Sequence, residues 1–262
     1  MREKSFANLN KFFKNNLSLI TLFSILLAAF AVRVWGIKFG LPYLFHPDEW
    51  AIVDRALNMI KTADYSPHEF NYPPLYMYIQ AIVYVAKFFY GVSFNQYKSL
   101  ADLTAPSVTT WGRLTTALFG VATVYLLYLL AKRIFGEKVG LVAALFLAFT
   151  YLHARNSHYI TTDVFMVFLV TLSFYFSYLV FEEGRRRDYI LAGLFAGLAI
   201  AAKYNAGIII IALLAAHLLT DRRQRLNSLN LWLGLVAVLA GFYIGMPMIF
   251  RELPVFLIPS LS

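Results

Sequence analysis

The chain has 262 residues, of which 60% are hydrophobic and only 14% are charged. An ordinary soluble domain has about 25% charged residues, so this composition excludes a disordered chain and argues against a soluble globular enzyme. The net charge of +9 matters mainly because the positions of the basic residues indicate orientation in a membrane. No nucleic-acid partner is expected. The absence of cysteine excludes disulfides and thiolate metal sites.

Long stretches without Asp, Glu, Lys or Arg predict seven transmembrane helices, because about 20 apolar residues are needed to cross the hydrocarbon core. Five stretches are long enough by themselves, and two shorter ones are extended by a polar residue at the outer end. The five are 15–32, 114–131, 164–181, 204–220 and 226–250, and the two are 139–154 and 189–202. We find no repeat and no soluble second domain, so residues 1–262 are expected to form one all-α polytopic membrane module.

Basic residues gather in the N-terminal tail and in three short loops, at 132–138, 182–188 and 221–225. Short positive segments stay in the cytoplasm, which places the N-terminus inside. The first span then runs outward, and the span near residue 112 must begin outside. Residues 37–111 are therefore predicted to be one long external loop of a protein in the cell (inner) membrane.

Two helices are predicted inside that loop. The stretch 48–62 is amphipathic, with Trp50, Val53 and Leu57 at helical spacing. The stretch 75–90 is apolar and rich in tyrosine, and by parity it begins and ends outside, so we expect a juxtamembrane or re-entrant helix. A true crossing at 75–90 is the alternative.

Ionisable residues lie at the predicted external ends of the spans. The group includes His46, Asp48, Glu49, Arg155, His158, Asp163 and Lys203, with Arg33 and Arg113 nearby. Such residues at membrane depth are usually functional or paired, although single arginines can also snorkel to the headgroups. An external carboxylate can act as a general base, and neighbouring cations can hold a lipid-linked phosphate as a leaving group.

Four segments resemble the membrane-embedded GT-C glycosyltransferases. The nearest likeness is to glycosyltransferase family 39 and its relatives, the protein O-mannosyltransferase and aminoarabinose transferase group. The segments are HPDE at 46–49, YPPLY at 72–76, RNSHYITTD at 155–163, and GLA at 197–199 followed by Lys203 and Tyr204. The resemblance covers nearly the whole chain, and its segments occur in the family's order.

The resemblance implies an inverting enzyme that moves a sugar from a polyprenyl-phosphate donor to a protein, lipid or glycan acceptor on the external face. It implies Asp48 as general base, Glu49 as its support and Asp163 as the second acidic position. Arg155 and Lys203 are expected to face the lipid phosphate. The other expected substrate-binding residues are His46, Tyr72 and His158. The family's module has seven spans and two juxtamembrane helices in its first external loop, a layout that the charge pattern predicts independently.

The sequence departs from the family in two respects. Tyr72 stands where the aminoarabinose enzymes have lysine, which puts an aminoarabinose donor in doubt. Family chains are usually longer, so we expect the C-terminal part of the usual chain to be absent from these residues. Two alternatives remain open: a transporter or flippase for lipid-linked sugars, and a non-catalytic binding subunit. No metal ligand is assigned, although Asp48 and Asp163 could share a divalent cation.

Overall fold

In the computed structural model, the described residues are 2–68, 70–220 and 228–252, with side chains described from residue 16 onward within these ranges. Every regular element in the described ranges is helical. The α-helices there are α1 (Arg2–Val34), α2 (Pro47–Thr62), α3 (Leu75–Ser93), α4 (Ala105–Phe135), α5 (Glu137–Phe149), α6 (Tyr151–Asn156), α7 (Thr162–Glu182), α8 (Arg186–Ala202), α9 (Ile210–Leu219) and α10 (Leu229–Gly245). Short 3₁₀ turns lie at Leu100–Asp102, Tyr204–Ile209 and Pro247–Phe250.

Four of the described helices are long and apolar enough to cross a membrane. They are Asn16–Val34 within α1, and α3, α4 and α7, while the apolar segments Tyr204–Leu219 and Leu229–Gly245 are shorter. Helices α1, α4 and α7 coincide with predicted spans. Helix α3 qualifies by length and composition, although parity predicts that it does not cross, and its place relative to the membrane stays a prediction. The predicted basic loop at 221–225 lies outside the described residues.

Helices α8 and α10 pack backbone against backbone. A Cβ atom built at Gly193 would lie 2.0 Å from the carbonyl oxygen of Gly234, and one built at Gly197 would lie 2.0 Å from that of Val238. Helices in lipid associate through close van der Waals packing, which small residues permit. The four-residue spacing of Gly193 and Gly197 therefore explains why these two helices lie side by side.

The outer ends of α8 and α10 also approach the start of α3. A Cβ atom built at Gly245 would meet the Cβ of Ala201 at 2.4 Å and that of Leu75 at 3.4 Å. Lys203 directly follows α8, and Tyr72 lies three residues before Leu75. This contact brings the end of α8 close to the YPPLY segment of the first loop.

Helix α3 buries polar side chains and exposes apolar ones. Tyr76, Gln80 and Tyr84 are fully buried, whereas Ile82 and Phe89 are exposed. The Tyr76 hydroxyl lies within hydrogen-bond distance of Thr116 on α4, and Gln80 Nε2 donates to the Gly112 carbonyl at 3.3 Å. An exposed apolar face rimmed by polar residues is typical of a surface that meets lipid.

Single cysteines can decide whether α3 crosses the membrane, because the chain has no cysteine of its own. Lys61 precedes α3 and Lys98 follows it, and both are exposed. We expect Lys61→Cys and Lys98→Cys both to react with a membrane-impermeant maleimide in intact cells. Lys138→Cys, in the predicted cytoplasmic loop, is the control and should react only after permeabilisation. Labelling of only one of positions 61 and 98 would show that α3 crosses.

Candidate active site

Glu49 and Arg113 form a buried ion pair between α2 and α4. Arg113 Nε and Nη2 each donate to a different carboxylate oxygen of Glu49, both at 2.7 Å. The Glu49 side chain is 0% exposed and the Arg113 side chain is 2% exposed. Arg113 Nη1 also donates to the carbonyl oxygens of Ile37 at 2.8 Å and Phe39 at 2.7 Å. Bidentate pairs of this kind are among the stronger and more directional hydrogen-bonded contacts in proteins.

The same carboxylate anchors the segment that leads into α7. The backbone N–H of Ile160 donates to Glu49 Oε1 at 3.2 Å. Because Glu49 is fully buried and both its oxygens are engaged, it is not open to a substrate. The sequence resemblance groups Glu49 with the catalytic acids, whereas its placement suits a positioning residue that fixes the first turn of α2, where Asp48 lies.

Asp48 is half-buried and accepts a hydrogen bond from the Tyr72 hydroxyl at 3.0 Å. Partial burial, the hydrogen bond to Asp48 and the negative charges of Asp48 and Asp163 raise the pKa of Tyr72. The phenol therefore stays protonated at neutral pH and can donate. The effect of Asp163 on Tyr72 also means that the second acidic position lies close to the same tyrosine.

Asp163 lies in the first turn of α7, where the helix dipole favours a negative charge. Its Oδ1 lies 2.6 Å from Nζ of Lys203, and the two side chains are 36% and 30% exposed. Four of the predicted site residues thus gather in one partly exposed cluster, which we call the acidic cluster: Asp48, Tyr72, Asp163 and Lys203.

The remaining predicted site residues lie on the other side of the α6–α7 turn. Arg155 is exposed and lines a cleft of about 410 Å³ together with Trp35, His158 and Tyr159, whereas Asp163 lines a different, smaller cleft. The His158 ring nitrogens lie 2.9 Å from the Ala154 carbonyl oxygen and 3.0 Å from that of Trp35. Each ring nitrogen faces a backbone carbonyl oxygen, and a neutral imidazole can donate to only one of them, so direct contact of His158 with substrate stays a prediction.

His46 occupies the position before α2 and packs against Tyr159, with ring centroids 5.0 Å apart. Its Nδ1 is buried, with no hydrogen-bond partner among the described residues. Tyr159, its ring partner, also lines the cleft that contains Arg155.

Two of the arginines predicted near the ends of spans, Arg33 and Arg113, are buried inside the protein. Arg33 is 0% exposed and, like Arg113, binds backbone carbonyls. Its Nη1 donates to Ala148 at 3.0 Å and its Nη2 to His153 Nδ1 at 2.9 Å. These bonds satisfy a carbonyl at the end of α5. The sequence singles out Arg33 and Arg113 as lone arginines near the ends of apolar stretches, but it does not identify the groups that they bind.

Metal ligation is limited in the part of the chain that the structure describes. It contains no group of three or more His, Cys, Asp or Glu side chains suited to a metal ion. Asp48 and Asp163 would supply carboxylate oxygens, which suit hard cations, so the shared divalent cation stays an open prediction.

Variants of the Glu49–Arg113 pair test its positioning role. Removal of one partner leaves a buried charge, and we expect Glu49→Gln or Arg113→Met to lower the free energy of unfolding by about 3–5 kcal/mol. The double variant should be less destabilised than the sum of the two, because no unpaired charge remains. Thermal unfolding of purified protein in detergent measures this coupling, and strictly additive losses would contradict it.

The sequence and the fold match those of known proteins. Residues 103–248 match the family model described as dolichyl-phosphate-mannose-protein mannosyltransferase. An uncharacterized protein of Aquifex aeolicus (strain VF5) is 28% identical over 214 residues, which cover 78% of this chain and 39% of that protein. The chain therefore spans about two fifths of this relative's length.

The fold is similar to that of the Archaeoglobus fulgidus oligosaccharyltransferase. Its crystal structure tethered to an acceptor peptide with the NVT sequon gives a TM-score of 0.58 at 14% identity and covers 96% of this chain and 36% of that one. The apo structure gives 0.57 at 15% identity, covering 95% and 35%. These likenesses establish the GT-C fold. With more than half its length matched by the family model, the chain belongs to the dolichyl-phosphate-mannose-protein mannosyltransferase family of GT-C membrane glycosyltransferases.

Proposed function

We propose that the chain is the membrane module of an inverting glycosyltransferase that moves a sugar from a polyprenyl-phosphate donor to a protein, lipid or glycan acceptor. The acidic cluster is the observation that carries this proposal. It combines Asp48, a carboxylate suited to take up a proton, with Lys203, a cation suited to bind a phosphate. Family membership supports a lipid-linked donor.

Asp48 is the general base in this proposal. One carboxylate oxygen of Asp48 accepts from Tyr72, and the other can accept the proton of an acceptor hydroxyl or amine. The acceptor atom bonds to the anomeric carbon while the bond from that carbon to the phosphate oxygen breaks. The electron pair of that bond leaves with the polyprenyl phosphate, and attack from the opposite face inverts the anomeric configuration.

Lys203 is the cation proposed to stabilise the leaving phosphate. It already pairs with Asp163, which holds the ammonium group in place beside the cluster. A cation placed where negative charge develops on the leaving phosphate lowers the barrier to breaking the bond between that phosphate and the sugar. Arg155, whose exposed guanidinium lines the neighbouring cleft, is a second candidate for the same anion.

The proposed orientation follows the charge pattern. Short positive segments favour the cytoplasm, so the N-terminus is placed inside and the acidic cluster on the external, periplasmic face of the inner membrane. A polyprenyl donor lies in the same membrane, and an external cluster can meet its headgroup without removing it from the bilayer.

Substitution of the base should abolish transfer without unfolding the protein. We expect Asp48→Asn to lower kcat for transfer from polyprenyl-phosphate mannose by at least about 100-fold, since a neutral amide cannot take up the proton. Transfer of radiolabelled sugar by the reconstituted full chain measures this. Asp54→Asn, on the same helix and bonded to Asn58, is the matched control.

Two results, one from the transfer assay and one from a liposome assay, would overturn the proposal. Full activity in Asp48→Asn would remove this carboxylate from the reaction. Movement of labelled lipid across liposomes by the unsubstituted chain, without consumption of the sugar donor, would indicate a flippase.

The phosphate assignment predicts weaker donor binding when the cations are removed. Hydrogen bonds to charged groups contribute about 1.5–3 kcal/mol, so Lys203→Ala should raise the donor KM about tenfold or more. Arg155→Ala should have a smaller effect, because Arg155 lies outside the acidic cluster. Lys61→Ala is the control at an exposed lysine on α2. An unchanged donor KM in both Lys203→Ala and Arg155→Ala would contradict the assignment.

A further inference from the structure

The segment that carries Tyr72 is built to hold that side chain in one place. Tyr72 precedes two prolines, Pro73 and Pro74, which are buried and lead directly into α3. A residue before proline is restricted to extended backbone, and proline fixes its own φ angle. The Tyr72 ring packs against the largest hydrophobic core cluster, so both its backbone and its ring are constrained.

The hydroxyl of this constrained tyrosine is hydrogen-bonded to Asp48, the proposed base. Its hydroxyl donates to Asp48 Oδ1 at 3.0 Å. This bond fixes the orientation of the Asp48 carboxylate, because the tyrosine that donates it is itself held by the two prolines and by the core. It also occupies one carboxylate oxygen, which leaves a defined second oxygen for another partner.

The charges around Asp48 explain why such a donor matters. Asp163 adds a second negative charge near the same tyrosine, and Glu49 directly follows Asp48 in the chain. The nearby positive groups are committed elsewhere: Arg113 to Glu49, and Lys203 to Asp163. His46, two residues before Asp48, packs on Tyr159. Tyr72 thus supplies a side-chain hydrogen bond to Asp48 while these positive groups are held by other carboxylates.

We propose that Tyr72 is a positioning residue that fixes the orientation of the Asp48 carboxylate and directs its second oxygen toward the acceptor, rather than a residue that binds substrate. This inference rests on the proposed function, since it assigns a role to Tyr72 within the same reaction. It replaces the sequence-based expectation that Tyr72 contacts the substrate.

A hydroxyl deletion separates these two roles. We expect Tyr72→Phe to lower kcat by about 10- to 100-fold, the range for loss of a hydrogen bond to a charged group, with the donor and acceptor KM values unchanged. Without the donor, the Asp48 carboxylate is no longer held in one orientation. A loss confined to kcat is the result that a substrate-binding role would not give.

Two further variants test whether the hydrogen bond itself is responsible. Tyr72→Lys restores a flexible donor at the same position and should recover part of the lost kcat. Tyr65→Phe removes a phenol from the same loop that has no described bond to Asp48, and should behave like the unsubstituted chain. Thermal unfolding of each variant monitors the fold.

The outcomes distinguish this inference from the proposed function. If the unsubstituted chain transfers sugar and Asp48→Asn does not, but Tyr72→Phe keeps its kcat, the positioning role is overturned and the proposed function stands. If Tyr72→Phe raises a KM with kcat unchanged, Tyr72 binds substrate and the inference is also overturned. If the unsubstituted chain transfers no sugar from polyprenyl-phosphate mannose, the proposed function fails, and the positioning role fails with it.

Discussion

The buried pair of Glu49 with Arg113 is the contact on which the arrangement around Asp48 depends. It joins the first turn of α2, the first half of α4, the loop after α1 and the segment before α7. Burial of two charges costs several kcal/mol per ion unless their partners are complete, so the pair favours one arrangement of these four segments over others. Asp48 precedes Glu49 directly, and its position follows from that arrangement.

Packing of the α8 backbone against the α10 backbone positions Lys203, the cation of the acidic cluster. Glycines on both helices allow this approach, and it places Lys203 at the end of α8 near the start of α3. Asp163 reaches the same place from the first turn of α7, held there through Ile160 and Glu49. The cluster therefore brings residues that follow α8 and begin α7 together with residues of the segment between α1 and α4.

The sequence predicts helices because uncharged stretches of sufficient length are a one-dimensional property. The members of the acidic cluster come from the family resemblance and from ionisable residues near the ends of those stretches, and the orientation read from the basic loops stays a prediction. Side-chain pairing is not encoded in this way. The partners of Arg33 and Arg113 come from distant segments, and Arg155 and Asp163 line different clefts. Helix α3 illustrates a second limit, since a crossing and a juxtamembrane helix can have the same length and apolar content.

The central claim is that a lipid-linked sugar binds with its anomeric carbon at the acidic cluster. The most direct test is a cryo-electron microscopy structure of the full chain in nanodiscs with polyprenyl-phosphate mannose bound. The account predicts density for the phosphate against Lys203 and for the sugar within contact of Asp48, on the face of the membrane opposite the N-terminus. A donor headgroup resolved away from Asp48, or on the same face as the N-terminus, would contradict it.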